Sequence, residues 1–482
     1  MVDFRPVGHI LGWLLAALGA SMAIPLAIDL ADRNGNAPAF ALSMALTTTL
    51  GVLLAVACSE RRPRDLDLRQ GVLLTVGAWA AFTGFATLPL MLGEPDISFV
   101  DALFETTSAM TTTGATVIVG LDDLPRGVLA WRSLVTWIGG IGVVLLAIIL
   151  LPVLGVGGMQ LLRSSDFNTL GKVMPKAKEI ALSFSAVYLA LTLACTLGYV
   201  WGGLSEFDAL THAMSTIATG GMGNYDASFI NFSATTQYVG AVFMLLGGMS
   251  FVRFVQLGAG DPKPLFQDSQ IRAFLAIYLV LCLGLLVARI ENGDRIDEPA
   301  LRAILFNMSS IITTTGFVSA DYIQWGPLAD TLFFCAMMVC GCTGSTAGGP
   351  KVFRYQLLAA AVAVEIGRLY SPSAVHLPRL QGRAVTAQAM NSVVGFFMLF
   401  FLTLGIGAVL LVLLGLDPVT AISGAAATLS NVGPGLGPVI GPVGNYASLS
   451  DPAILVLTFL MLVGRLELLL VYVLFTAAFW RA

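Results

Sequence analysis

Apolar stretches of 18 or more residues recur from one end of this 482-residue chain to the other. About 20 such residues in a helix cross the ~30 Å hydrocarbon core of a bilayer. The expected spans are roughly 10–30, 39–58, 71–92, 129–154, 180–202, 236–257, 273–290, 328–367, 387–415 and 452–478. Charged residues make up only 11% of the chain, where a soluble domain carries about 25%. The fold class expected is an all-α polytopic membrane protein. The first run, Ile10 to Leu30, has no small-residue cleavage site after a short apolar core and reads as a retained helix.

Charge sorts between alternate connections. One side holds Arg61, Arg62, Arg64 and Arg69, then Arg163, Lys172, Lys176 and Lys178, then Arg253, Lys263 and Arg272. Lys351, Arg354, Arg368, Arg379 and Arg383 complete that side, and Arg5 and Arg481 sit at the termini. The other side holds only Arg33, Arg126, Arg132, Arg289, Arg295 and Arg302. Positive-inside logic places both termini in the cytoplasm. The outer connections are rich in acids, among them Glu94, Asp101, Glu105, Asp208 and Asp417, which would concentrate cations at that face. Six scattered cysteines (Cys58, Cys195, Cys282, Cys335, Cys340, Cys342) read as small buried hydrophobes. His9, His212 and His376 are far apart, so neither a metal cluster nor a histidine-based catalytic site is expected. The expected protein is not an enzyme.

An internal repeat organises the outer connections. Four times a short apolar segment, too brief to span, leads into Thr, Ser and Gly. The segments are SFVDALFETTSAMTTTGAT (98–116), SEFDALTHAMSTIATGGMG (205–223), EPALRAILFNMSSIITTTGF (298–317) and DPVTAISGAAATLSNVGPG (417–435). Their expected key glycines are Gly114, Gly220, Gly316 and Gly433, separated by 106, 96 and 117 residues. Ser98 with Asp101 and Ser205 with Asp208 make S-x-x-D caps. Glu298-Pro299 and Asp417-Pro418 set an acid before Pro at the first helical position. Helices of about 12–14 residues reach about 20 Å, partway across a bilayer.

Non-helical backbone at membrane depth is tolerated only when buried in protein or lining water. Four such loops at equal depth suggest a ring around one axis. Their carbonyls, with threonine hydroxyls, would replace an ion's hydration shell. The short helices would point their partially negative C-termini at the centre, which favours a cation. Thr-Gly pairs also occur at ordinary helix contacts, but four capped copies on one side outweigh that reading.

These motifs resemble the TrkH/TrkG/KtrB superfamily of potassium transporters, most closely the TrkH branch. The carrying residues are TTTGAT (111–116), ATGG (218–221), TTTGF (313–317), NVGPGLG (431–437), GCTGSTAGGPK (341–351) and GRLE (464–467). The resemblance spans nearly the whole chain. It departs at Pro350, where Ile is usual, and at Thr219 and Met222, where bulkier apolar residues are common. It implies four pseudo-symmetric lead helix–pore helix–return helix repeats around one central pore, plus an N-terminal helix pair. The boundaries would be 1–70 for the pair, then 71–179, 180–271, 272–386 and 387–482 for the repeats. Carried over, the potassium-selective filter would comprise Thr112, Thr113 and Gly114; Ala218, Thr219 and Gly220; Thr314, Thr315 and Gly316; and Asn431, Val432 and Gly433.

The stretch Cys340–Lys351 breaks the eighth span. It is no phosphate loop, because Pro350 interrupts Gly-Lys and Val352 comes after the lysine. A kinked helix packed on small residues is the simple reading; against it, so many residues without bulky side chains leave backbone groups in need of water or partners. The resemblance implies a gate below the filter, formed by Gly341, Cys342, Thr343, Gly344, Ser345, Thr346, Ala347, Gly348 and Gly349. Arg465 lies mid-span, where a charge costs at least ~2.5 kcal/mol unless partnered. It is expected to point to the loop carbonyls and brace the gate as part of it; the simpler alternative is an arginine that snorkels to the inner interface. On one helix Glu467 would not face it. Lys351 is an interfacial anchor or a contact for a regulatory partner.

The resemblance further implies K+ as the transported ion, no cofactor held by this chain, and a homodimer in a bacterial cytoplasmic membrane. A cytoplasmic TrkA-like ring that binds NAD or ATP would drive the gate. No nucleic acid is expected. The alternative class is a Na+- or H+-coupled symporter, whose mark would be inverted repeats and midplane substrate-binding charges.

Overall fold

Four short helices begin on side-chain caps and stop at a threonine- or serine-bearing loop. The computed structural model describes residues 3–59, 66–149, 177–371, 377–380 and 383–481. Arg61, Arg62, Arg64, Arg163, Lys172, Lys176 and His376, and the end of the expected fourth span beyond Ile149, lie outside the described residues. The pore helices are Phe99–Met110, Glu206–Ile217, Glu298–Ile312 and Pro418–Leu429. Ser98 and Ser205 accept from the amides of Asp101 and Asp208, each at 3.1 Å. Asp417 accepts from Thr420 N at 3.0 Å. In the third repeat the cap is Asp297, one residue before the expected Glu298, and it accepts from Ala300 N at 3.0 Å. Each cap satisfies an amide that the helix itself cannot.

Lead helices precede these caps: Leu68–Ala86 with Leu88–Leu92, Ala177–Trp201, Ser269–Glu291 and Ala387–Leu413. They expose Leu197, Val280, Met398 and Leu413 outward, as helices facing lipid would. The return helix of the first repeat is Arg126–Ile149. The other three return helices are broken. In the second repeat Ala234–Gly247 turns by 95° into Phe251–Gly258, and in the fourth Asp451–Arg465 turns by 107° into Leu469–Phe475. The expected single spans over 236–257 and 452–478 are therefore bent pairs. In the third, Pro327–Val339 and Val352–Tyr370 flank the glycine-rich loop as expected. Among the described residues, seven helices are long and apolar enough to cross a membrane, or nine if each bent pair is one span. A two-residue hairpin, Arg379–Leu380 with Arg383–Ala384, is the one strand pairing among the described residues.

The N-terminal pair, Arg5–Asp32 and Ala37–Ala57, packs through small residues. A Cβ on Gly12 would lie 2.4 Å from Ala55 N, and one on Gly51 2.5 Å from Ala16 N. The buried Asp29 carboxylate then accepts from Gly127 N at 2.9 Å, capping the first return helix. Asn34 and Asn36 donate to the same carboxylate at 2.6 and 2.9 Å. The pair is thereby fastened to the pore repeats.

Candidate functional site: a ring of four loops

Each pore helix ends in the same backbone turn. The amides of Thr113, Gly220, Thr315 and Val432 donate five residues back, to Ser108, Ser215, Ser310 and Ala427, each at 2.8 Å. The residue before each is left-handed: Thr112 (φ 53°), Thr219 (50°), Thr314 (58°) and Asn431 (56°). The residue after each is a glycine with positive φ: Gly114 (83°), Gly221 (67°), Gly316 (86°) and Gly433 (103°). For a β-branched threonine this conformation is an outlier that costs about 1–3 kcal/mol. Alternating hands turn successive carbonyls toward one side of the chain, which a regular strand cannot do.

This pattern corrects the register of the second loop by one residue. Gly221, not Gly220, is equivalent to Gly114, Gly316 and Gly433. Thr219 and Gly220 match Thr112 and Thr113, and Ala218 falls one position before them.

The four loops close on one another. A Cβ on Gly114 would lie 2.8 Å from Gly220 O, one on Gly221 2.1 Å from Thr315 O, one on Gly316 2.3 Å from Val432 O, and one on Gly433 2.5 Å from Thr113 O. Every carbonyl so approached belongs to the residue before the next repeat's glycine. The sequence of contacts returns to its start, so the loops form a ring of backbone with no room for side chains at its seams. A cavity of about 270 Å³ opens above it, lined by all four of these glycines with Thr116, Gly223 and Tyr446. Tyr446 donates to Gly433 O at 2.7 Å.

Several threonine hydroxyls are already occupied. Thr111 pairs with Thr113 and Thr313 with Thr315, both at 2.7 Å. Thr112 Oγ1 has no hydrogen-bond partner among the described residues, so the ring offers a hydroxyl beside its carbonyls, both of them oxygen groups that suit a cation.

A second tier supports the strands that leave the ring. The residue nine positions before the glycine receives, in each of the first three repeats, the amide three positions after it. Glu105 accepts from Val117 N at 3.0 Å, His212 Nε2 from Asn224 N at 3.4 Å and Asn307 from Ser319 N at 3.1 Å. In the fourth repeat Ser423 does this for Leu436 N at 2.9 Å. Glu105 also pairs with Arg132 at 2.8 Å, and both side chains are almost wholly buried. Sequence reading places both among the exposed outer charges and misses their role. At the rim, burial pushes the Asp208 carboxyl up, but hydrogen bonds from Ser205, Asn224 and Tyr225 outweigh it and hold the group below the usual carboxylate range.

Beneath the ring lies the loop Gly341–Gly349, buried as far as Gly348. Gly348 N donates to Thr314 Oγ1 of the ring at 2.7 Å. Cys342 N donates to Gly248 O at 2.8 Å, Phe251 N to Gly344 O at 2.9 Å and Thr343 N to Gln270 Oε1 at 3.1 Å. Thr346 Oγ1 donates to Ile217 O at 2.9 Å and to Gly247 O at 3.1 Å. The break in the second return helix thus frees the carbonyls that hold this loop. Protein groups supply partners for much of the backbone that the sequence leaves in need of water or partners. The glycines also permit close approach: a Cβ on Gly348 would lie 2.4 Å from Ser430 O.

The expected bond from Arg465 to the loop is absent. Arg465 is buried, and its three guanidinium nitrogens have no hydrogen-bond partner among the described residues. Lys351 instead donates to Ala347 O of the loop. The return helix ends at Arg465, and Glu467 adopts φ 60°. That turn carries the Glu467 carboxylate to the buried Arg354, 2.5 Å away. Arg465 remains within electrostatic reach of Lys351 and Tyr188.

The TrkH family of cation transport proteins matches residues 36–481. The chain is 40% identical over 480 residues to the Trk system potassium uptake protein TrkI of Halomonas elongata, covering 99% of this chain and 97% of that one. It is 37% identical over 496 residues to the Trk system potassium uptake protein TrkH of Vibrio parahaemolyticus, covering both fully. The chain belongs to the TrkH family. Its fold matches the crystal structure of the potassium transporter TrkH from Vibrio parahaemolyticus with a TM-score of 0.91, at 35% identity and full coverage of both chains. Within this TrkH-type fold, eleven of the twelve expected ring residues fall in the turn described above, Ala218 stands just before it, and Gly221 joins them.

Proposed function

We propose that this chain carries potassium into the cell across the bacterial cytoplasmic membrane, with both termini cytoplasmic and the ring as its selectivity filter. The observation that carries the reading is the closed ring, in which each glycine meets the carbonyl of the next repeat. Carbonyls held at fixed separation can replace the water of one ion better than that of another. The TrkH and TrkI relatives named as potassium uptake proteins support the same ion.

The loop Gly341–Gly349 is the gate. It sits under the ring, bonded to Thr314 and to the broken second return helix, so its displacement is required before an ion passes. Arg465 adds an uncompensated positive charge below the ring in this closed arrangement. The repeats 71–179, 180–271, 272–386 and 387–482, after the N-terminal pair 1–70, are the units that build the pathway. A homodimer and a cytoplasmic TrkA-like ring that binds NAD or ATP complete the system and act on the gate.

Purified protein in liposomes tests this. Gly316→Ser adds a Cβ where Val432 O stands 2.3 Å away. The variant is expected to lose potassium-over-sodium discrimination by tenfold or more, about 1.4 kcal/mol. Unchanged discrimination in a folded Gly316→Ser protein refutes the filter. Uptake strictly stoichiometric with sodium or protons would instead indicate coupled transport.

A further inference from the structure

At the position nine residues before the ring glycine, the four repeats carry Glu105, His212, Asn307 and Gly424. Only the first carries a formal negative charge. Glu105 accepts from Thr116 Oγ1 as well as from Val117 N, so it grips the strand that leaves the first loop. Its partner Arg132 does not serve that loop alone. Arg132 Nη1 donates to Gly223 O at 2.8 Å, on the strand that leaves the second loop. Thr116 and Gly223 both line the cavity above the ring. One buried ion pair therefore stands one hydrogen bond behind the ion's path and joins two repeats at their seam.

We propose that Glu105 and Arg132 are a positioning and charge-balancing pair for the ion pathway. Through Glu105 and Arg132 the first and second loops are held at one separation. Their mutual neutralisation keeps the seam electrically quiet, so that carbonyl spacing sets ion preference. The carbonyls do the selecting, and the pair acts through them. A pair retained only for folding would leave ion preference and ion affinity unmoved in any variant that still folds.

The inference rests on the potassium-filter reading above, and the experiment separates the two. Potassium and sodium flux are measured in liposomes for the wild type, Gly316→Ser, Glu105→Gln, Arg132→Gln, the double Gln variant and Arg132→Lys. A wild type without potassium preference, or a Gly316→Ser variant that keeps it, removes the filter reading and this inference with it. With the filter intact, opposite shifts are expected. Glu105→Gln leaves a positive charge behind the ring and raises the half-saturating potassium concentration about tenfold. Arg132→Gln leaves a negative charge and lowers it by a similar factor. The double variant returns to within about threefold of wild type. Arg132→Lys keeps the charge but not the two-way reach of the guanidinium. It is expected to lower the potassium-to-sodium ratio with little change in half-saturation. Single variants that both shift in the same direction, or a folded Arg132→Lys with wild-type ion preference, overturn the proposal. Where neither single Gln variant folds, Arg132→Lys and the double variant decide it.

Discussion

The second loop offers two adjacent glycines, and only one can close the ring. Gly221→Ala and Gly220→Ala are therefore expected to differ sharply. At Gly221 the backbone has φ 67°, and the added Cβ would lie 2.1 Å from Thr315 O. The left-handed conformation alone costs alanine about 1–2 kcal/mol. The carbonyl must also retreat by roughly 0.9 Å to reach the ~3 Å of a tolerable contact, and displacements near 1 Å at a functional centre cost up to about a hundredfold. Gly220 has no positive φ, and its added Cβ meets the Thr136 methyl at 2.1 Å. That clash is with one side-chain atom, and Thr136→Ser removes it while keeping the hydroxyl that donates to Arg132 O at 2.9 Å. Potassium and sodium flux in liposomes is the assay. Gly221→Ala is expected to lose at least tenfold in potassium preference. Gly220→Ala with Thr136→Ser should stay within about threefold of wild type. If the Gly220 pair loses preference while Gly221→Ala keeps it, the register argued from the backbone is wrong.

The gate and the frame yield further tests. Thr346→Val removes the donor to Ile217 O and Gly247 O; a loss of about 1–2 kcal/mol from the closed state raises basal flux five- to thirtyfold, and flux equal to wild type would detach Thr346 from gating. Arg465→Ala removes an unpaired buried cation below the ring, so basal potassium flux should rise, as it should on shortening 344–348. Wild-type flux in both would sink the gate assignment. Asp29→Ala withdraws three hydrogen bonds, one of them the cap on Gly127 N; thermal stability should fall by about 1–3 kcal/mol, while the potassium-to-sodium ratio of the folded protein holds, and a changed ratio would place Asp29 in the pathway.

Local chemistry explains what was legible beforehand. Ser98, Ser205 and Asp417 announce the pore helices because a cap needs only its own next few residues. Thr-Gly runs announce the loops because a positive φ has few comfortable hosts. Charge was harder to read. Arg132 and Glu105 look like exposed outer residues in sequence, and nothing nearby in the chain indicates that a pore helix and a return helix enclose them. Arg465 is the residue sequence reasoning assigns to the loop, yet Lys351 serves it, because the helix ends at Arg465 and the turn at Glu467 redirects the chain.

From the sequence alone came the membrane class, the four repeats, the glycine-rich break and three of the four ring glycines. Each depends on hydrophobic length, capping or backbone preference within a few residues. The tertiary structure decided the choice between Gly220 and Gly221, the bends after Gly247 and Arg465, and the partners of Glu105, Arg354 and Lys351. Two adjacent glycines are equivalent to local chemistry. They become different only when the carbonyl of Thr315, some ninety residues away, is brought to within 2.1 Å of where one of them would carry a side chain.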